Sequence, residues 1–327
     1  MKEIFAPHLG KNVKLGGYRH NPYPGPHFRL KNYLMASLPA PPTALDWTKS
    51  ASAVLADVYG NDSMGDCVIA ALFHLLGVWT GNAGAAFHAT LAEIIAMYSA
   101  IGNYVPGDPS TDNGCDMTTA LNWIVAHGFP NGDKPLGWVR IDATNKTEVQ
   151  QAIYLFEGID FGVGLPDKWI SPFPSANGFT WDVAGDADPN NGHSFMAAGY
   201  DTSGVTIDTW GLLGKLTYAA IAKYAVASSG GELDILLSAD MIAKAAQKAP
   251  NGFDWQSLVA DFDSMGGTVP VPAPPAPPAP TPPSGPVTLL QAQSWATAAL
   301  NSGAPLMSRS QAVALANAGL AKSWPKS

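Results

Sequence analysis

The chain has 327 residues, 46% hydrophobic and 13% charged, and its 18 Lys+Arg against 26 Asp+Glu give a formal net charge of −8. This length supports one sizeable core with appendages, or two modest domains. The acidic balance without a basic stripe excludes nucleic acid as the expected partner. No apolar run reaches the roughly eighteen residues of a membrane span. The opening Met1-Lys2-Glu3-Ile4-Phe5 lacks the apolar stretch of a secretory signal, so the default expectation is a cytoplasmic or phage-associated protein. Two cysteines, Cys67 and Cys115, do not make a disulfide framework.

Residues 1–45 read as an extended lead-in. Gly16-Gly17, Pro22, Pro24, Pro26, Pro39, Pro41 and Pro42 break any periodicity. Interspersed aromatics (Tyr18, Tyr23, Phe28, Tyr33) predict that it packs along a domain surface, and it is too short for a folded inhibitory prodomain. A turn-rich run, Asn61 to Asp66, then opens an apolar helix placed at 66–80. Further helices are expected at 89–101, from Asp116 to a stop near Gly128, and from Asn145 to Phe156. Strands are expected at Trp138–Ile141, Ile159–Leu165, His193–Tyr200, Val205–Thr209 and Glu232–Ser238, with a hairpin through Asp201-Thr202-Ser203-Gly204 and a helix at Thr217–Ala227. Residues 166–192 read as one long loop. Helices precede strands rather than alternating with them, which predicts an α+β fold over residues 46–267.

Residues 268–287 are a Pro/Ala-rich linker, an extended spacer of up to roughly 60 Å at about 3 Å per residue. The tail, 288–327, repeats with a period of twenty: Thr288-Leu289-Leu290-Gln291-Ala292 echoes Ser308-Arg309-Ser310-Gln311-Ala312. Each copy opens with a Ser/Thr-x-x-Gln capping box, which predicts a small helical hairpin suited to docking an unidentified protein or surface.

The chemistry centres on Cys67. A thiol at a helix N-terminus feels the positive end of the helix dipole, which is expected to lower its pKa and raise the thiolate fraction. Cysteine catalysis also needs a base, an orienting group and oxyanion donors. His193 follows a glycine loop at a strand mouth, Asp208 ends the neighbouring strand, and Asn61 stands six positions before Cys67, where its amide could serve an oxyanion beside the Cys67 backbone N–H. His74, His88 and His127 have no metal-ligand spacing, and no metal or cofactor is expected.

These blocks together resemble the papain-like cysteine peptidase superfamily, in a divergent bacterial or phage-type form. Asp46-Trp47 precedes Asn61…Gly65-Asp66-Cys67, in which the family carries Gln at the Asn61 offset. His193-Ser194-Phe195…Gly199-Tyr200 matches the family's histidine block, and Asp208-Thr209-Trp210-Gly211 matches its Asn-Ser-Trp-Gly. The resemblance implies a two-lobed fold, a helical lobe with Cys67 and a β lobe with His193 and Asp208. It also implies a thiolate–imidazolium pair and acyl-enzyme chemistry on peptide or amide bonds. Catalytic roles fall on Cys67, His193, Asp208 and Asn61; contacts to a peptide or protein substrate fall on Gly65, Gly114, Gly192 and Trp210. Met64 stands where the family has a half-cystine, so the family disulfide to the Cys115 position cannot form. An amidase or acyltransferase on the same scaffold, and a non-catalytic binding or structural module of a phage or bacterial surface assembly, are the alternatives.

Overall fold

The computed structural model describes residues 1–21, 28–34 and 40–238, with a few positions between 241 and 261. The expected linker at 268–287 and hairpin at 288–327 lie outside the described residues. In chain order the elements are β1 (Lys2–Ala6), β2 (Lys11–Leu15), β3 (Leu45–Asp46), α1 (Ser52–Leu55), α2 (Cys67–Ala83), α3 (Leu91–Gly102), α4 (Met117–His127), β4 (Gly137–Arg140), α5 (Lys146–Phe156), β5 (Ile159–Gly164), α6 (Asp167–Ile170), β6 (Phe179–Trp181), β7 (Gly192–Tyr200), β8 (Gly204–Thr209), β9 (Leu212–Thr217), α7 (Tyr218–Tyr224) and β10 (Glu232–Leu237).

The helix α2 is the spine. Every residue from Cys67 to Trp79 is buried, as expected of a helix that is apolar all round. It starts where Asp66 offers its carbonyl to the amides of Ile69 and Ala70, at 2.8 and 3.0 Å. Helices α3, α4, α5 and α7 start on side-chain caps: Thr90 and Glu93 form a reciprocal capping box on α3, and Asp116 accepts the Thr119 amide at 2.8 Å on α4. Gly128, at φ +83°, closes α4 in a conformation that favours glycine.

An eight-stranded sheet runs in the order β4-β10-β5-β7-β8-β9-β6, with β3 added to β7. Every pairing is antiparallel except β6 with β9. Strands β5, β7 and β10 are buried along their whole length, because α2 and α5 pack against this part of the sheet. The fold is α+β, as the sequence predicts. Among the described residues, no helix is long and apolar enough to cross a membrane.

Three features escape the sequence reading. The lead-in forms an antiparallel hairpin, β1 with β2, in register from Lys2–Leu15 to Ala6–Lys11. The 166–192 loop contains α6 and β6. Strand β9 follows β8 through the two-residue turn Trp210-Gly211, both at positive φ (49° and 75°), the geometry that suits the twist of a tight hairpin.

Candidate active site

Cys67 is the first residue of α2, and His193 is the second residue of β7. Both line one small cavity with His74, Asp208, Thr209 and Trp210. Its volume for water centres is about 10 Å³, room for about one water. Cys67 and Cys115 are both free thiols.

The imidazole of His193 is held on two sides. Its Nε2 meets the Thr209 hydroxyl at 2.7 Å. The Trp210 indole lies flat over the ring, with centroids 3.8 Å apart and planes within 5°. Trp210 reaches this position from a left-handed backbone, φ +49°, which a bulky residue adopts at a cost. Among the described residues, His193 Nδ1 has no hydrogen-bond partner.

Asp208 does not make the orienting bond expected of it. Adjacent strand residues leave on opposite sides, and Thr209 is the one that reaches the imidazole. The Asp208 carboxylate approaches the helix instead, with Oδ2 3.0 Å from Nδ1 of His74. That approach is not aligned as a hydrogen bond, and neither Asp208 oxygen has one among the described residues. Burial holds the Asp208 carboxyl well above the usual range. His74, pushed down to about 4 by burial, donates its Nε2–H to the Asp57 carbonyl, 2.9 Å away. Thr209 and His74 are thus site residues that sequence reasoning did not single out, although Thr209 lies inside a recognised block.

Asn61 is buried beside the same cavity. Its amide nitrogen donates to the Met64 carbonyl at 3.3 Å and to Asp66 Oδ1 at 3.2 Å. Both amide hydrogens therefore serve the turn before α2 in this state.

The glycines expected to contact a substrate lie against a segment of this chain itself. Gly16 and Tyr18 donate their amides to the Gly192 carbonyl at 2.9 and 3.3 Å. Cys115 donates to the Gly17 carbonyl at 2.9 Å, and Arg19 donates back to the Cys115 carbonyl at 3.2 Å. A Cβ on Gly114 would stand 2.1 Å from the Gly17 oxygen, and one on Gly192 would stand 2.1 Å from the Tyr18 oxygen. Gly65 packs under Met1, whose sulfur a Cβ there would meet at 2.3 Å. The lead-in is thus a strap across the site. Its hairpin is fastened on both walls: Lys14 pairs with buried Asp112 at 2.6 Å, Lys11 pairs with Asp62, and Lys2 reaches Asn191 at 3.1 Å. His8 Nε2 lies 2.9 Å from the Trp210 carbonyl.

The strap reverses the expected electrostatics. Burial pushes the Cys67 thiol up to about 12, against the pull of the Ser194 amide directed at it. Burial also pushes His193 down to about 3. The helix dipole is outweighed because a charge in this site would be stripped of water. Burial thus favours the neutral thiol and the neutral imidazole over an ion pair.

Comparison of the sequence with protein-family models and with curated proteins finds no match. Solved structures do match. Xylellain, a cysteine protease from Xylella fastidiosa, superposes with a TM-score of 0.52 at 14% identity, covering 70% of this chain and 98% of xylellain. The cysteine protease and lectin-like domains of Cwp84, a surface layer associated protein of Clostridium difficile, give a TM-score of 0.50 at 12% identity, covering 69% of this chain and 56% of that one. The fold is papain-like. In this papain-like fold Cys67 heads the central helix, and residues 16–18 lie across its site.

Proposed function

We propose that the protein is a thiol peptidase in which Cys67 is the nucleophile and His193 the general acid and base. The observation that carries this reading is the pairing of a cysteine at a helix N-terminus with a histidine gripped by Thr209 and Trp210, around one cavity. His193 takes the Cys67 proton as sulfur attacks the carbonyl carbon of a peptide bond. The tetrahedral oxyanion is stabilised by the Cys67 amide, one of the helix-start N–H groups without an intrahelical partner. Asn61 supplies a second donor once its amide leaves Met64 and Asp66. His193 then gives the proton to the departing amine, leaving a thioester. Water attacks the thioester with His193 as base, releasing the acid and restoring the thiol. The Thr209 hydroxyl fixes the ring, so the role expected of Asp208 passes to its neighbour.

The filled groove favours one second reading, a papain-like module that binds without catalysis. Hydrolysis of a quenched fluorescent peptide library separates the two. The Gly17→Ala chain, in which the new Cβ would stand 2.5 Å from the Gly65 oxygen and 3.0 Å from the Cys67 sulfur, should cleave the library, and Gly17→Ala with Cys67→Ser should not. Absence of Cys67-dependent cleavage in the uncovered chain overturns the peptidase reading and leaves the binding module.

A further inference from the structure

The strap shows what the groove accepts. Its contacts to both walls run from backbone to backbone, through Cys115 on one side and Gly192 on the other. Such bonds are blind to side chains, as when a strand adds to an exposed edge. Gly16 and Gly17 have no side chain to offer. Of residues 16–18, which lie between Cys115 and Gly192, Tyr18 is the one with a side chain, and it is 3% exposed.

Tyr18 enters a pocket with two distinct ends. At the ring, the groove is open because residue 162 is glycine: a Cβ there would stand 2.3 to 2.9 Å from three Tyr18 ring carbons. At the far end sits Glu232. The Tyr18 hydroxyl donates to Glu232 Oε1 at 3.0 Å, with the Gly230 carbonyl at 3.2 Å sharing the same proton. Glu232 is held in place by Arg140, which binds its other oxygen and pairs with Asp234 at 2.9 Å. A buried carboxylate pinned on one oxygen presents a fixed acceptor on the other. An aromatic ring without a hydroxyl would fill the same space and leave that acceptor dry, and a site built around a hydrogen bond rejects the analogue that lacks it.

We infer that this groove recognises peptides through a tyrosine side chain, with Gly162 admitting the ring and Glu232 reading the hydroxyl, and that Tyr18 occupies the pocket in the resting chain. The inference rests on the reading of the Cys67 groove as a peptide-binding cleft and names the residue class it selects. The strap itself is not presented for attack, because the Gly17 carbonyl is held by the Cys115 amide.

The test uses protection of Cys67 from iodoacetamide in the full-length Tyr18→Ala chain, read by mass spectrometry with buried Cys115 as the control for an intact fold. The hexapeptide Leu-Gly-Gly-Tyr-Arg-His, a copy of residues 15–20, should protect Cys67 at a concentration at least tenfold below its Phe counterpart. In Tyr18→Ala with Glu232→Met, which removes the acceptor, the two peptides should protect alike. Should Tyr18→Ala expose Cys115, Gly17→Ala, which displaces the strap and keeps Tyr18, serves in its place. Equal protection by the two peptides with Glu232 intact, or protection by neither, overturns the inference. Tyr-selective protection in a chain that cleaves no peptide supports the pocket while overturning the peptidase reading.

Discussion

Gly17 lies directly against the Cys67 sulfur, so close that a methyl group on residue 17 would stand 3.0 Å from it. Fifty positions apart in sequence, the two residues set each other's state. The strap needs a residue without a side chain there, and the thiol loses its water to the strap. With burial holding the thiol near 12, the thiolate fraction at pH 8 is about 10⁻⁴, whereas a solvated thiol near about 8.5 is roughly one-quarter ionised. We expect Cys67 in the intact chain to alkylate far more slowly than a free thiol between pH 6 and 9. In Gly17→Ala its rate at pH 8 should rise at least tenfold while Cys115 stays silent. A Cys67 that already reacts like a free thiol in the intact chain would sink the strap reading.

Thr209 carries the second prediction. Thr209→Val keeps the shape of the side chain and removes the hydroxyl from His193 Nε2, now at 2.7 Å. In the uncovered Gly17→Ala background, kcat should fall by about 10²-fold, within the range that a positioned acid–base group supplies, with KM little changed. Thr209→Ser should restore most of it, since the hydroxyl returns. Equal loss in Ser and Val would point to packing under Trp210 rather than to the hydrogen bond.

How much of this was legible in the sequence follows from the range of the interactions. Cys67, His193 and Trp210 sit in short blocks whose order carries them, and α2 announces itself through its turn-rich start. The choice between Asp208 and Thr209 was not legible, because it depends on which side of β8 each residue leaves and on His74 lying across from Asp208. Strand β9 was hidden by Gly214, whose missing Cβ makes room for the Phe179 ring; a glycine within a strand reads as a break unless its neighbour is known. The strap was hidden for the same reason. Gly16-Gly17 looks like flexible punctuation until Gly65, Gly114 and Cys67 are brought against it.

Asp112 anchors the strap to the helical side and supports the third prediction. Its Oδ1 accepts the Gly65 amide at 2.9 Å and the Tyr98 hydroxyl at 2.7 Å, while Oδ2 takes Lys14. Asp112→Ala strands a buried amide and a buried phenol, so it should destabilise the protein by about 2–4 kcal/mol and also speed Cys67 alkylation. Asp112→Asn, which keeps an acceptor for Gly65, should cost less on both measures. Urea unfolding and alkylation of the same samples test the coupling. A loss within about 0.5 kcal/mol, the range of an ordinary surface substitution, would mean that this carboxylate does not organise the region.

Asp208 gives a prediction whose sign is set by burial. Its carboxyl is raised well above the usual range by loss of water, and His74 beside it is pushed down to about 4, so at neutral pH no imidazolium stands there to support a carboxylate. A folded-state pKa above the unfolded value means that the native state binds more protons than the unfolded one between the two values. The site is therefore without penalty below the unfolded pKa of about 3.9, and stability is lost as pH rises toward the folded pKa. Asp208→Asn removes the titration. The variant should gain stability relative to the parent as pH rises from about 4, by about 1.4 kcal/mol per pH unit up to the native pKa, and the gain should shrink toward zero near pH 4. Thermal unfolding of both chains from pH 4 to 8 reads this as a difference in Tm that widens with pH. A difference that narrows with rising pH would mean that Asp208 is held as a carboxylate by a charged histidine, which would return to Asp208 the orienting role proposed above for Thr209.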